Sequence, residues 1–275
     1  MTAFPQIYQQ DAPPEIAAIY ADIQAVSGVP VVNLIWRHFA ALPGVLPWAW
    51  AAVSPLVGSA AMDTARQRIA AAIELPQVAP LRTGAWRAAG VGEDAVAELA
   101  GMVEAYVRGN LTNIIALTAL RLRLEHPDRP AAHLSAGKAA APAPAPLRPL
   151  PRIEGLEAGL AARIRALAAR HDGAGAGVIP SLYLELAHWP GVIAALPDWL
   201  SALYQPTTLR AARASTCRLA EVEAEALLPH PGPPPEGLAA MQPALQRFTG
   251  LVIPELIPIC IALRRLISEP VSPCA

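Results

Sequence analysis

Residues 177–191 read Gly-Val-Ile-Pro-Ser-Leu-Tyr-Leu-Glu-Leu-Ala-His-Trp-Pro-Gly. Pro180 suits the first turn of a helix, where its missing N–H costs nothing. Leu182, Leu186 and Trp189 recur at helical spacing, and Pro190-Gly191 ends the segment. An earlier stretch, Val29 to Pro47, has the same layout. With Pro43-Gly44-Val45 set on Pro190-Gly191-Val192, Trp36 falls on Tyr183, Phe39 on Leu186 and Ala40 on Ala187. Each copy then runs into a Trp-containing segment, Trp48-Ala49-Trp50 in one and the region of Trp199 in the other. The pattern predicts a duplicated helical module, with two short helices in equivalent places.

Outward from these stretches, apolar residues keep helical spacing, and no stretch alternates convincingly with period two, which predicts an all-α fold. Asp11 to Gly28 reads as a helix with Ile16, Ile19, Tyr20 and Ile23 on its apolar face. Helical segments are expected near 46–57, 60–74 and 93–108, with 75–90 less regular. Gly109-Asn110 is expected to interrupt the chain before an almost fully buried helix from Leu111 to Leu124. In the second half, 154–171, 192–204 and 207–228 read as helices and 229–236 as a Pro-rich loop. The last segment, 237–268, is expected to break at Pro254 and Pro258. Between the halves, the run Ala139-Ala-Ala-Pro-Ala-Pro-Ala-Pro-Leu-Arg-Pro-Leu-Pro favours polyproline II and offers no face to pack. The expected organisation is an N-terminal helical repeat at 1–126, a Pro/Ala-rich linker at 127–152 and a C-terminal repeat at 153–275, with a pocket between the repeats.

The chain has 275 residues, 54 % of them hydrophobic and 16 % charged, with a net charge of −1. A nucleic-acid partner needs a basic surface, which this balance does not supply. Three distant cysteines without a Cys-x-x-Cys pair argue against a disulfide framework or a zinc site, and fit a reducing cytoplasm. The N-terminus lacks the basic start and apolar run of a signal peptide. Residues 39–62 are uncharged and long enough to span a bilayer, but Pro43, Pro47 and Pro55 break the run, so buried core helices are expected rather than a membrane span. No His-Glu-x-x-His or similar spacing points to a metal. The glycine run at 173–177 lacks the Gly-Lys-Ser/Thr ending of a phosphate loop and reads as a flexible joint, so no cofactor is expected.

Ser181, Glu185 and His188 share a helix face at i, i+4 and i+7. Two helical turns put Ser181 and His188 about 10 Å apart, too far for a nucleophile and its base. The plainer expectation is Ser181 bonding backbone N–H groups at the helix start, with Glu185 and His188 as an i,i+3 surface pair. His38 reads as a partly buried histidine bonded to a carbonyl. Asn110 has two readings, a contact to a ligand carboxylate or the simpler cap of the next helix. Trp36 and Tyr183 either fill the core or line a pocket.

Val29-Pro30, Arg37, Pro43-Gly44, Leu46-Pro47 and Ala49-Trp50 resemble the first-half motif of the all-helical DL-2-haloacid dehalogenases. Gly109-Asn110, Thr118-Ala119-Leu120, Ser181, Trp189-Pro190 and Gln246-Arg247-Phe248 continue the resemblance in order. It implies an all-α pseudo-dimer built from one chain, a hydrolase whose active site is buried between two repeats. In that family an Asp activates a water that displaces halide from the α-carbon of a 2-haloacid, without a covalent ester. The Asp directly follows the serine that matches Ser181, and here that position is Leu182. The family's pocket aromatics fall on Val31 and Leu34, and its pocket tyrosine on about Leu245. Asn110 and Ser181 remain as polar matches. The resemblance therefore implies a dehalogenase-like protein that has lost the catalytic Asp, with a larger and more apolar pocket bounded by Val31, Leu34, Asn110, Ser181, Leu182 and Leu245. Three outcomes stay open: a changed enzyme using Ser181, Tyr183 or His38, a non-catalytic module for an apolar small molecule, or a structural helical protein whose pocket has closed. The expected partner is a small molecule, a carboxylic acid among the candidates, and a homodimer is compatible with the sequence.

Overall fold

The computed structural model describes residues 5–133, 147–172 and 178–267, and every regular element among them is helical. A 3₁₀ turn at Gln9–Asp11 leads into α1, Pro14–Ser27. Pro14 occupies its first turn, and Gly28, at φ 66°, closes it in the left-handed conformation. There follow α2 (Leu34–Ala40), α3 (Val45–Val57), α4 (Ala60–Ala72) and α5 (Thr83–Ala88). Ser59 caps α4, its Oγ accepting the Met62 N–H at 3.2 Å. The stretch 75–90, expected to be less regular, does contain α5. Buried Trp86 anchors that helix, its ring edge-on to Trp199 of the second half at 5.1 Å.

The next element, α6, runs unbroken from Glu93 to Glu125, about 50 Å at helical rise. The interruption expected at Gly109-Asn110 is absent. A lone interior glycine costs a helix only about 1 kcal/mol, and here the turns that follow, to Leu120, are fully buried. Gly109 has a steric role instead. A Cβ there would lie 3.3 Å from Asn33 Oδ1 and 3.4 Å from a Val29 methyl, so glycine lets the 29–33 segment lie close against α6.

Residues 134–146, the centre of the expected linker, lie outside the described residues, as does the glycine run at 173–177. From residue 153 on come a 3₁₀ turn at Ile153–Gly155 and α7 (Ala158–Ala168), capped by Glu157 accepting from Gly159 and Leu160 N–H. The opening stretch of the sequence analysis forms α8 (Ser181–Glu185), prolonged by a 3₁₀ turn at Leu186–His188. Then follow α9 (Pro190–Trp199), α10 (Pro206–Glu225), α11 (Leu238–Arg247) and α12 (Ile253–Ile267). α2 and α8 each lead into a longer helix, but the junctions differ. Gly44 makes a left-handed turn before α3, whereas Pro190 and Gly191 are already the first residues of α9.

The expected breaks at Pro254 and Pro258 are also absent. α11 passes through a wide π turn, Phe248–Val252, straight into α12, which contains both prolines. Pro254 has no N–H to offer the carbonyl of Gly250 four residues back. The thiol of Cys217 on α10 takes that place, lying 3.7 Å from both the Thr249 and Gly250 carbonyl oxygens. The irregularity therefore precedes the prolines instead of coinciding with them.

α6, α10 and α12 pack against one another, α1 lies on α3, and α7 on α8 and α9. One apolar cluster runs through both halves. No described helix is long and apolar enough to cross a membrane.

Candidate functional site

The segment preceding α2 bends so that Arg37, in the helix's last turn, points into the protein and is only 2 % exposed. Its Nη1 donates to the Val32 carbonyl, its Nε to Gln6 Oε1 at 2.9 Å, and its Nη2 to Ser181 Oγ at 3.0 Å. The Tyr8 ring faces its guanidinium at 5.5 Å, and Arg152 lies over the same ring at 4.7 Å. Burial pulls the Arg37 pKa down, while Tyr106, Tyr8, Tyr20 and Glu185 favour its charge. Arginine stays protonated under such conditions.

Ser181 therefore accepts a hydrogen bond from across the molecule and makes no cap, contrary to the expectation for it. One turn further along α8 is Glu185, only 3 % exposed. The expected surface pair with His188 is not formed. His188 Nε2 contacts the Pro149 carbonyl at 3.3 Å, and Glu185 turns inward. The physical reason lies in the sequence around it: Leu182, Leu184 and Leu186 flank it, so the whole turn is buried and Glu185 is buried with it. Its Oε2 is fully enclosed and has no hydrogen-bond partner among the described residues. Burial pushes its carboxyl up to about 7, with Arg37 opposing the shift. The two nevertheless form no ion pair.

Arg37 and Glu185 line one cleft of about 460 Å³, bounded also by Tyr8, Gln24, Val31 and the irregular segment 147–150. Arg148 stands at its rim, paired with Glu98 at 2.7 Å and stacked over Trp189 at 5.5 Å. Tyr106 on α6 is within electrostatic reach of both Arg37 and Glu185; its hydroxyl is buried, and no hydrogen bond reaches it from the described residues.

The opposite side of α8 is held by a second polar system. Tyr183 OH is hydrogen-bonded to His171 Nε2 at 2.6 Å and to Tyr204 OH at 3.1 Å. His171 Nδ1 lies 3.3 Å from Glu255 Oε2, and Arg213 bridges Glu255 and Asp172 at 2.7 and 2.8 Å. Tyr183 thus belongs to the core and fixes α8 from behind. Trp36 is likewise a core residue, its Nε1 donating to Asn113 Oδ1 at 2.9 Å. His38 Nδ1 lies 2.7 Å from the Pro5 carbonyl, the histidine–carbonyl arrangement the sequence suggested.

The residues singled out from the sequence are divided among three places. Leu34, Asn110 and Ser181 meet at a cavity of about 20 Å³, with Tyr106, Asn113, Phe248 and Leu256 around it. That volume holds roughly one water. The chamber expected to be larger and more apolar is instead small and mixed in polarity, because residues of the π turn and α12 fill it. Asn110, in mid-helix, caps nothing; its Nδ2 donates to Cys260 Sγ at 3.6 Å. Val31 lines the Arg37–Glu185 cleft. Leu182, fully buried, and Leu245 sit in the core and border neither space. Glu185, expected in a surface pair with His188, and Arg37, expected only as part of a motif, are instead the two buried charged residues of this cleft. The available signal was one carboxylate inside Val178–Ala187, a run otherwise without charge.

No family model matches the chain, and no curated protein does. Solved structures do. A D-2-haloacid dehalogenase mutant in complex with D-2-CPA is 20 % identical, covers 95 % of this chain and 94 % of its own, and superposes with a TM-score of 0.73. A second D-2-haloacid dehalogenase mutant is 17 % identical, with coverages of 94 and 93 % and a TM-score of 0.75. A D-2-haloacid dehalogenase complex with L-LA is 19 % identical, with coverages of 95 and 94 % and a TM-score of 0.71. At these identities the likeness shows the fold, and it is the all-helical fold that the sequence resemblance implied.

Proposed function

We propose that this protein, dehalogenase-like in its fold, binds a small organic acid in the cleft shared by Arg37 and Glu185, with 2-halo carboxylic acids as the first class to test. One observation carries the reading: an arginine and a carboxylate line the same cleft without neutralising each other. Arginine offers five N–H groups, and three of those of Arg37 are engaged among the described residues, at Gln6, Val32 and Ser181. The remaining two suit one carboxylate. The cleft volume is that of a small-molecule site.

The choice of 2-halo acids comes from the fold's solved relatives, which are D-2-haloacid dehalogenases. Hydrolysis by the route the resemblance implies is not part of the reading, since the position of its base is held by Leu182, buried among core side chains. The non-catalytic module for a purely apolar ligand fits less well, because the space available is lined by Arg37 and Arg148.

Calorimetric titration with propionate and 2-chloropropionate tests the reading. Binding should weaken by about tenfold or more in Arg37→Met, the loss of a charge-assisted contact. Equal affinity in the two proteins would contradict it.

A further inference from the structure

We infer that the cleft takes a dicarboxylic acid, with one carboxylate at Arg37 and the second held by Arg148 at the rim. The inference rests on the reading of the cleft as an organic-acid site, and Arg148 and the room available carry what is added to it. At about 460 Å³ the cleft is far larger than propionate requires and falls in the range of sites for bigger ligands. Among the described residues its lining carries two cations, Arg37 and Arg148, against the single carboxyl of Glu185. Burial holds that carboxyl near 7, so around neutrality it offsets only part of one of them. Val31, Leu147 and Leu150 add an aliphatic wall.

The two cations belong to opposite ends of one helical run. Arg37 donates to Ser181, the first residue of α8, and Arg148 lies over the ring of Trp189, just past the 3₁₀ turn that prolongs it. From Ser181 to Trp189 the backbone advances roughly 12 Å at helical rise. One carboxylate cannot bridge that distance, whereas an aliphatic diacid can lay one end at each arginine with its chain against the leucines and Val31.

Arg148 is held in place for this. Its Nη2 donates to Glu98 at 2.7 Å, the Trp189 ring faces it at 5.5 Å, and His188 Nε2 meets the neighbouring Pro149 carbonyl at 3.3 Å. Glu98 takes one N–H of a group that has five, which leaves donors for a ligand carboxylate. Glu98 itself stands outside the lining of the cleft, so its charge can be removed without altering the wall.

Calorimetry on the full chain with propionate, hexanoate and adipate tests the inference, hexanoate having a methyl where adipate has its second carboxylate. Adipate should bind about fivefold or more tighter than hexanoate, the scale of one partly exposed charged contact. That advantage should vanish in Arg148→Gln and grow in Glu98→Gln, with hexanoate binding unchanged in both. If Arg148→Gln does not fold, the comparison of the two acids in wild type and in Glu98→Gln decides. Adipate binding no tighter than hexanoate overturns the second anchor and leaves the organic-acid reading standing. A loss in Arg148→Gln as large for hexanoate as for adipate makes Arg148 a shaper of the rim only, and also overturns the inference. Absence of binding by all three acids overturns the cleft reading itself, and the inference with it.

Discussion

Arg37 on α2 and Glu185 on α8 face one cleft, both almost fully buried, yet they do not close into an ion pair. A buried carboxylate beside a cation ordinarily ionises easily. Here desolvation outweighs the cation, and Glu185 sits near 7. Glu185 Oε2 is therefore left without a partner beside a cation whose three nitrogens are bonded to Gln6, Val32 and Ser181, which is the basis for the expectations below.

The carboxyl of Glu185 should make stability depend on pH. Its pKa is raised on folding from an ordinary 4.5 to about 7. The folded state thus holds a proton that the unfolded state releases between those values, and stability falls as pH rises across that window. Glu185→Gln should abolish this slope. Above pH 7 it should be more stable than wild type by about 3 kcal/mol, in denaturant unfolding at pH 4.5 and pH 8.

Arg37→Met keeps the volume and the apolar stem but removes the donors to Ser181, Gln6 and Val32. The orphaned acceptors should cost about 2 kcal/mol. Glu185 escapes a larger penalty by remaining protonated. Because Arg37 is the group that opposes the upward shift, Glu185 should titrate higher in the variant, read by ¹³C NMR of the labelled carboxyl.

Gly191 is in the first turn of α9, where a Cβ would come 2.0 Å from the Ala89 carbonyl oxygen. That contact is with backbone, which a rotamer change cannot relieve. Gly191→Ala should cost at least about 2 kcal/mol in denaturant unfolding. Gly101→Ala, on an open face of α6, should stabilise by about 0.5–1 kcal/mol.

Leu182→Asp restores the residue type that the resemblance places there, but not a site for it. Leu182 is fully buried in the apolar cluster, and the nearby cavity is about 20 Å³. The variant should lose about 3 kcal/mol or more from an unpaired buried carboxylate. It should release no more halide from 2-chloropropionate than wild type.

The fold class was readable because apolar spacing persists through both halves and nothing alternates with period two. Boundaries failed where residue type and context disagree. Gly109 and Pro254 are breakers by propensity, but burial overrides the first and a thiol from α10 compensates the second. The site was legible only in part. Ser181, Asn110 and Val31 each border a space, but a motif fixes which residues are near one another and not how much room remains between them. Glu185 was misjudged because helical spacing from His188 suggested an exposed face. The charge-free residues around it, read as a whole, point to burial.

Direct titration of the Glu185 carboxyl by ¹³C NMR, in the full chain with and without propionate, tests the central relationship most closely. The expected result is a midpoint near 7 in the free protein, moved higher when propionate is bound, because a second anion then sits beside Arg37. A midpoint near the ordinary carboxylate value, unmoved by propionate, would contradict it.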